Sequence, residues 1–359
     1  MKPARFLSVA ICVVSSICFG AAQSNSPEKN GIHDIVEVEQ TDLKGTVGNH
    51  SIVLRLLRTG DRFNGYYRYV KQRPSEDTNR SAQYDSSKLG DPIWLTGHLD
   101  SKNGRIKLIE TRDQAPPNYG AKGNVTGTWD VALDRDSLEG TWSQHSRILT
   151  IHTTRDKAVP TLPFEMKVRV QSPIGFAGLD DRNHDATCDA DQNNSSDAYS
   201  IDEIYLYRNG QLAQTIKGFK AGGVCTPSFP RVRDVEFDGQ PAIVLATAPG
   251  ISAQHYYLLW TYDAGHDSFV ANNAWDVVLT GWDDPIIDPE TRTLSVCWWS
   301  SGSWPFGSRT YRWQKSRLQE VGHNECGDPD GGQKCKQLGK GPSYRMLCQI
   351  GTASEPVSW

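Results

Sequence analysis

Past residue 22 the chain has no uncharged apolar run of the length a membrane span needs, about 20 residues. It has no Cys-x-x-Cys pair, and its nine histidines are scattered, so the ligand spacing of a zinc site is missing. It has no Gly-x-Ser-x-Gly, no His-Glu-x-x-His, no phosphate loop and no dinucleotide fingerprint. Asp283 and Asp284 form an acid pair, but neighbours on a strand point to opposite sides. Nothing here calls for an enzyme, and the expectation is a protein that binds rather than turns over. A sustained helical period with caps is also lacking, which sets aside helical folds.

What is present begins with a leader. Lys2 and Arg5 precede an uncharged stretch from Phe6 to Phe19, followed by Gly20, Ala21 and Ala22. This is the pattern of a secretory signal cleaved near Ala22. Ile11 and Ile17 precede Cys12 and Cys18 where a lipoprotein signal wants a small residue, so plain cleavage is expected. The expected location is the periplasm, with secretion as the other outcome. That compartment is oxidising, so Cys188, Cys225, Cys297, Cys326, Cys335 and Cys348 read as disulfide candidates, with their pairing open. From residue 23 to 164, 19 Lys and Arg stand against 18 Asp and Glu; from 165 onward, 17 stand against 24. The acidic second half disfavours nucleic acid and favours cations or basic protein partners.

Short strands rich in Tyr, Trp, Val, Ile and Thr alternate with Gly, Asn and Asp, which predicts an all-β fold. After a polar leader at 23–43, residues 44–156 predict an antiparallel meander or small barrel. Asn103-Gly104 marks a hairpin turn there, and glycines recur beside Tyr and Trp, as in strands that bend tightly around an inward aromatic. Residues 164–322 repeat a hairpin unit, seen at Tyr205 to Ile216, Tyr256 to Val270 and Thr310 to Val321, and predict a propeller-like stack. Residues 323–359 form a cysteine-containing tail.

Two stretches carry oxygen ligands at alternate positions, the spacing that lets a backbone curl around a calcium ion. One is Asp234, Glu236 and Asp238, followed by Gly239; Ala242 stands where a last acidic ligand would be. The other is Asp181, Asn183 and Asp185, continued by Asp189, Asp191 and Asn193, with no glutamate placed to close an EF-hand. Calcium is therefore the candidate cofactor, and solvated acidic turns are the alternative.

The stretch Cys297-Trp-Trp-Ser-Ser-Gly-Ser-Trp-Pro-Phe-Gly-Ser308 gathers aromatics among small residues, as a contact loop does. Ser301, Gly302, Ser303, Trp304 and Phe306 are its candidate binding residues.

The meander order Gly-Tyr-Tyr, Ile-x-Leu-x-Glu, Gly-Thr-Trp, Leu-Glu-Gly-Thr-Trp resembles generic β-meander modules of exported bacterial proteins. The second part, with its Val-Arg-Asp-Val-Glu-Phe-Asp-Gly turn, Tyr-Tyr-Leu-Leu-Trp-Thr-Tyr-Asp strand, Ser/Gly loop and Thr-Tyr-Arg-Trp-Gln, resembles exported calcium-binding immunity proteins with FG-GAP-like turns, akin to the periplasmic inhibitors of i-type lysozyme. That resemblance implies a non-enzymatic periplasmic inhibitor whose partner is a lysozyme-like peptidoglycan hydrolase. The Ser301–Ser303 loop would then occlude the substrate cleft. The competing expectation is a calcium-stabilised module that recognises cell-wall glycan or another surface partner.

Overall fold

The computed structural model describes residues 32–70, 90, 93–111, 125–157, 159–172, 200–222, 229–246, 255–275, 280–281, 286–288, 291–299, 306–314, 317–326 and 335–339. The fold is all-β. Eight strands form an up-and-down antiparallel series: β1 (Ile32–Val47), β2 (His50–Thr59), β3 (Arg62–Tyr69), β4 (Ile93–Asp100), β5 (Arg105–Thr111), β6 (Val125–Asp134), β7 (Ser137–Gln144) and β8 (Arg147–Arg155). Val47 of β1 pairs with Ile151 of β8, and Leu43 with Arg155, which closes the series into a barrel.

Period-two alternation fills the barrel. Ile52, Leu54 and Leu56 of β2, Ile106 and Leu108 of β5, and Trp129 and Val131 of β6 all point inward and are buried. Each such side chain contributes on the order of 1.5–3 kcal/mol by leaving water. Glycines let the wall bend: a Cβ on Gly65 or Gly97 would overlap the backbone carbonyl oxygen of Arg55 or Lys107 on the neighbouring strand. The outer wall carries charge, with Asp130 bonded to Arg105 and Lys107, and Glu139 paired with His152 at 3.0 Å.

Strands β9 (Glu165–Ser172), β10 (Ser200–Arg208) and β11 (Gln211–Gly222) extend the same hydrogen-bonded sheet, because β9 pairs with the first half of β1. β1 therefore belongs to two structures. Val36 and Val38 face the core made with β9 and β10, whereas Leu43 and Val47 face the barrel interior. This corrects the expected polar leader at 23–43, since strand structure begins at Ile32. The inward parity flips between Val38 and Leu43 as the strand changes partners, so no single alternating run marks it in the sequence. β8 ends at Arg155 and β9 begins at Glu165, and both pair with β1.

Two further antiparallel sheets follow. One consists of β12 (Arg231–Arg233), β13 (Ala242–Ala246), β14 (His255–Asp263) and β15 (Ser268–Ala271), with β16 (Thr280–Gly281) paired to the start of β14. The other orders β17 (Ile286–Asp288), β18 (Thr293–Trp299), β19 (Phe306–Gln314), β20 (Arg317–Cys326) and β21 (Cys335–Gly339). β13 is apolar along its length because both of its faces are covered. Ile243 and Leu245 pack with the β9–β10 core, while Ala242 and Val244 pack against Leu294, Val296 and Tyr311 of the last sheet. Successive meander sheets packed face to face make the propeller-like arrangement. Part of the expected tail at 323–359 belongs to it, since β20 runs to Cys326 and pairs with β21.

Two glutamine amides fasten the first of these sheets. Gln40 of β1 accepts from the N–H of Val232 and donates to its carbonyl, both at 3.1 Å. Gln214 of β11 does the same for Phe269, at 2.8 and 2.7 Å. β12 and β15 are the two edges of the sheet, so each edge has a side-chain amide standing in for a further strand.

Candidate functional site

One end of the barrel holds a polar cluster centred on Glu110, the last inward position of β5 after Ile106 and Leu108. Its side chain is 2% exposed. Oε2 accepts three hydrogen bonds: from the Tyr67 hydroxyl at 2.9 Å, the Trp129 indole at 3.1 Å and the Trp142 indole at 2.8 Å. Oε1 accepts one, from the Thr126 hydroxyl at 2.8 Å. Indole nitrogens only donate, so the carboxylate is the acceptor that lets two tryptophans be buried here.

Local structure aims each partner. Tyr67, Trp129 and Trp142 occupy inward positions of β3, β6 and β7. Thr126 arrives differently. Glu110 pairs with Gly127 and Thr111 with Val125, so Thr126 is the extra residue of a β-bulge, which turns its hydroxyl to the carboxylate. Burial first, and then the neighbouring Glu110, push the Tyr67 phenol above its ordinary value, which keeps it a donor.

Beside this cluster lies a cavity of about 400 Å³. Of its lining residues, Glu110 and Trp142 are buried and Thr126 half-buried, which makes them its floor, while Tyr69 and Leu149 are half-buried and His50 is exposed. Gln144 and Arg147, next to the β7–β8 turn, stand at its mouth. The rings of His50 and Tyr69 meet edge to face at 5.6 Å, and the Arg147 guanidinium lies 5.9 Å from the Trp142 ring centroid. Among the described lining residues Glu110 is the single carboxylate, so the paired acids of glycoside hydrolysis are not assembled here. An eight-stranded barrel is wide enough to be filled by side chains or to hold one small ligand. This one is filled along most of its length and left open at one end.

Asp234, Glu236 and Asp238, expected from the sequence, are not among the residues lining this cavity. Asp234 uses its carboxylate to accept the backbone N–H groups of Asp238 and Gly239, at 3.2 and 3.0 Å, while Glu236 accepts from Asn272 at 3.0 Å. Burial, as the first cause, holds both carboxyls above their ordinary values. Among the described residues no group of three or more His, Cys, Asp or Glu side chains is arranged to hold a metal ion. Asp234 and Asp238 hold this turn through hydrogen bonds to backbone N–H groups. Asp181, Asn183, Asp185, Asp189, Asp191 and Asn193 lie outside the described residues, as do Cys188, Cys225, Cys348, Ser301, Gly302, Ser303 and Trp304. Phe306 opens β19, opposite Trp299 at the end of β18. Cys297 lies in β18, and Cys326 and Cys335 are opposite one another across β20 and β21.

Glu110 was missed in the sequence although a signal for it exists. The run Ile106-x-Leu108-x-Glu110 puts an acid on the inward register of an otherwise apolar strand. The bulge at Thr126 left no such trace.

No protein-family model matches the chain, and no curated protein sequence matches it. A solved structure of a protein from Bacteroides fragilis NCTC 9343, provisionally assigned as a 6-phosphogluconolactonase, aligns with 79% of this chain and 94% of its own. The identity is 10% and the TM-score 0.27, a likeness too loose to define a shared fold. Among the described residues no helix is long and apolar enough to cross a membrane.

Proposed function

We propose that the protein is a non-enzymatic binding protein whose barrel receives a small ligand through its open end. One observation carries this reading: a cavity of about 400 Å³ whose floor is a carboxylate held rigid by four hydrogen bonds from β3, β6 and β7. Ligand sites are concave, mostly apolar and carry a few fixed polar groups, and this one has that form. The test is a ligand screen read at the Trp142 indole N–H resonance, with Leu149→Trp as the control that fills the cavity. Saturable shifts in the wild type and none in the filled variant support the reading. Identical spectra for both proteins across the screen reject it.

A second reading concerns the hairpin stack, and the register of β18 with β19 favours it. The two strands stay paired out to Trp299 and Phe306, the described residues that flank Ser301, Gly302, Ser303 and Trp304 in the sequence. With the resemblance to immunity proteins, this supports a periplasmic inhibitor of a lysozyme-like peptidoglycan hydrolase, with calcium as a stabilising ion. Such an inhibitor acts at near one-to-one ratio, and a Ser301→Ala, Ser303→Ala double variant weakens it. A full-length protein that leaves such hydrolases untouched at excess sinks this second reading alone.

A further inference from the structure

The barrel cavity is polar at both ends of its depth, and the two ends differ in sign. At the floor, Glu110 Oε1 carries one hydrogen bond among the described residues, against three on Oε2, which leaves Oε1 the oxygen with a lone pair open, and Glu110 lines the cavity. A hydrocarbon end placed there would leave that lone pair without a partner, and an anionic end would be repelled. The floor therefore selects a donor. At the mouth stands Arg147, exposed, with its guanidinium held against the Trp142 ring. Arg105 and Arg155 of the same barrel pair with Asp130 and Asp136, but Arg147 makes no ion pair among the described residues. A guanidinium at a cavity mouth that makes no ion pair among the described residues, with its five donors, suits a carboxylate.

Size bounds the ligand. Water takes up about 30 Å³ per molecule in the liquid, so 400 Å³ accommodates about a dozen heavy atoms. Resting on the reading of the barrel as a binding cup, we infer that its ligand is a small carboxylic acid with a hydroxyl or ammonium donor at its far end. The donor goes down to Glu110, and the carboxylate stays at the mouth with Arg147. Leu149 and the Tyr69 ring then flank the chain or ring between the two ends.

Four probes separate the parts of this inference, with neutral indole as a fifth, acid-free control. D-glucuronate carries a carboxylate and hydroxyls, and 6-aminohexanoate a carboxylate and an ammonium. D-glucose carries hydroxyls alone, and hexanoate a carboxylate alone. Each is titrated into the full-length, isotope-labelled protein while the Trp129 and Trp142 indole resonances are followed. At least one two-ended probe is expected to bind tenfold or more tightly than either one-ended probe. Which of the two does so tells hydroxyl from ammonium as the donor. Arg147→Ala, an exposed change that leaves the interior packing intact, is expected to bring the two-ended probe down to the level of its neutral counterpart. Equal binding of one-ended and two-ended probes, or an Arg147→Ala protein that binds the acid as the wild type does, overturns the ligand class. Shifts produced only by neutral indole overturn it too, while leaving the cup in place. Silence from all five compounds overturns both the class and the cup.

Discussion

The Trp142 indole N–H donates to the Glu110 carboxylate at 2.8 Å, although β6 lies between their two strands in the barrel wall. With Tyr67 and Trp129 on the same oxygen, one side chain ties β3, β5, β6 and β7 together at the open end. Removing that acceptor leaves three buried donors unmet, at about 1–3 kcal/mol for each that water cannot reach. Glu110→Ala is expected to destabilise the barrel by about 3–5 kcal/mol, and Glu110→Gln, which keeps one acceptor oxygen, by less. Denaturant unfolding followed by tryptophan fluorescence measures both. A Glu110→Ala protein as stable as the wild type would show that the network is not what holds this end.

Gly127 sits where the Trp142 indole passes over β6. A Cβ there would overlap the indole nitrogen and lie 2.7 Å from Cε2. Gly127→Ala must therefore push the ring away from Glu110. The expected outcome is a loss of about 1–3 kcal/mol, the usual cost of overpacking, together with faster solvent exchange of the Trp142 indole proton. Proton exchange measured by nuclear magnetic resonance checks it, and unchanged protection of that proton counts against the geometry.

Gln40 and Gln214 make a separable pair of predictions. Gln40→Ala leaves the Val232 N–H without its acceptor, the Val232 carbonyl keeping the bond from Arg233 Nη1, and Gln214→Ala leaves both the N–H and the carbonyl of Phe269 without their side-chain partner. Amide exchange is expected to speed up about tenfold at Val232 in the Gln40 variant and at Phe269 in the Gln214 variant, the scale of one net hydrogen bond. Exchange mass spectrometry resolves the two edges. Equal acceleration at both edges in either single variant would mean that the amides act through global stability instead.

Glu236 gives a pH dependence of defined sign. Its carboxyl is held above the ordinary 4.5, first by burial and then by the charge of Asp238. A raised folded-state value means that folding takes up protons in the window between the two values. The stability contributed by the protonated form is complete below about 4.5 and is lost as pH rises through the folded value. Glu236→Gln removes that loss. In the presence of a chelator the variant should melt at or above the wild-type temperature near neutral pH, with the gap closing toward about pH 4. Calcium bound at this turn would reverse the order when the ion is added, so melts with and without calcium test the cofactor at the same time.

Cys326 and Cys335 are register partners in β20 and β21. Opposed residues of an antiparallel pair sit about 4.5–5.5 Å apart at Cα, within the reach of a disulfide. Peptide mapping without reductant is expected to recover these two cysteines joined. Recovery of either one joined to a different cysteine excludes the pairing.

The sequence was most legible where a local rule had one solution. Asn209 and Gly210 adopt φ of 50° and 74°, the pair of left-handed conformations that a two-residue hairpin turn requires, and the strands on either side follow from them. The barrel was legible for a similar reason, because inward alternation in β2, β5 and β6 keeps one parity. β1 was not, since its buried face changes halfway along. The chemistry was the least legible part. Carbon-rich inward positions conceal one acid at 110, and the donors that surround it lie 16 to 43 residues away, one of them on a bulge that no residue type announces.

The double membership of β1 has a practical consequence for anyone dissecting the molecule. A fragment stopped after Asp156 would retain every wall strand of the barrel. It would also carry a seven-residue spur, Ile32 to Val38, stripped of the neighbour that covers its hydrogen-bonding groups. Such an exposed edge recruits other chains, so the excised barrel should clump or swap strands even though its interior is complete.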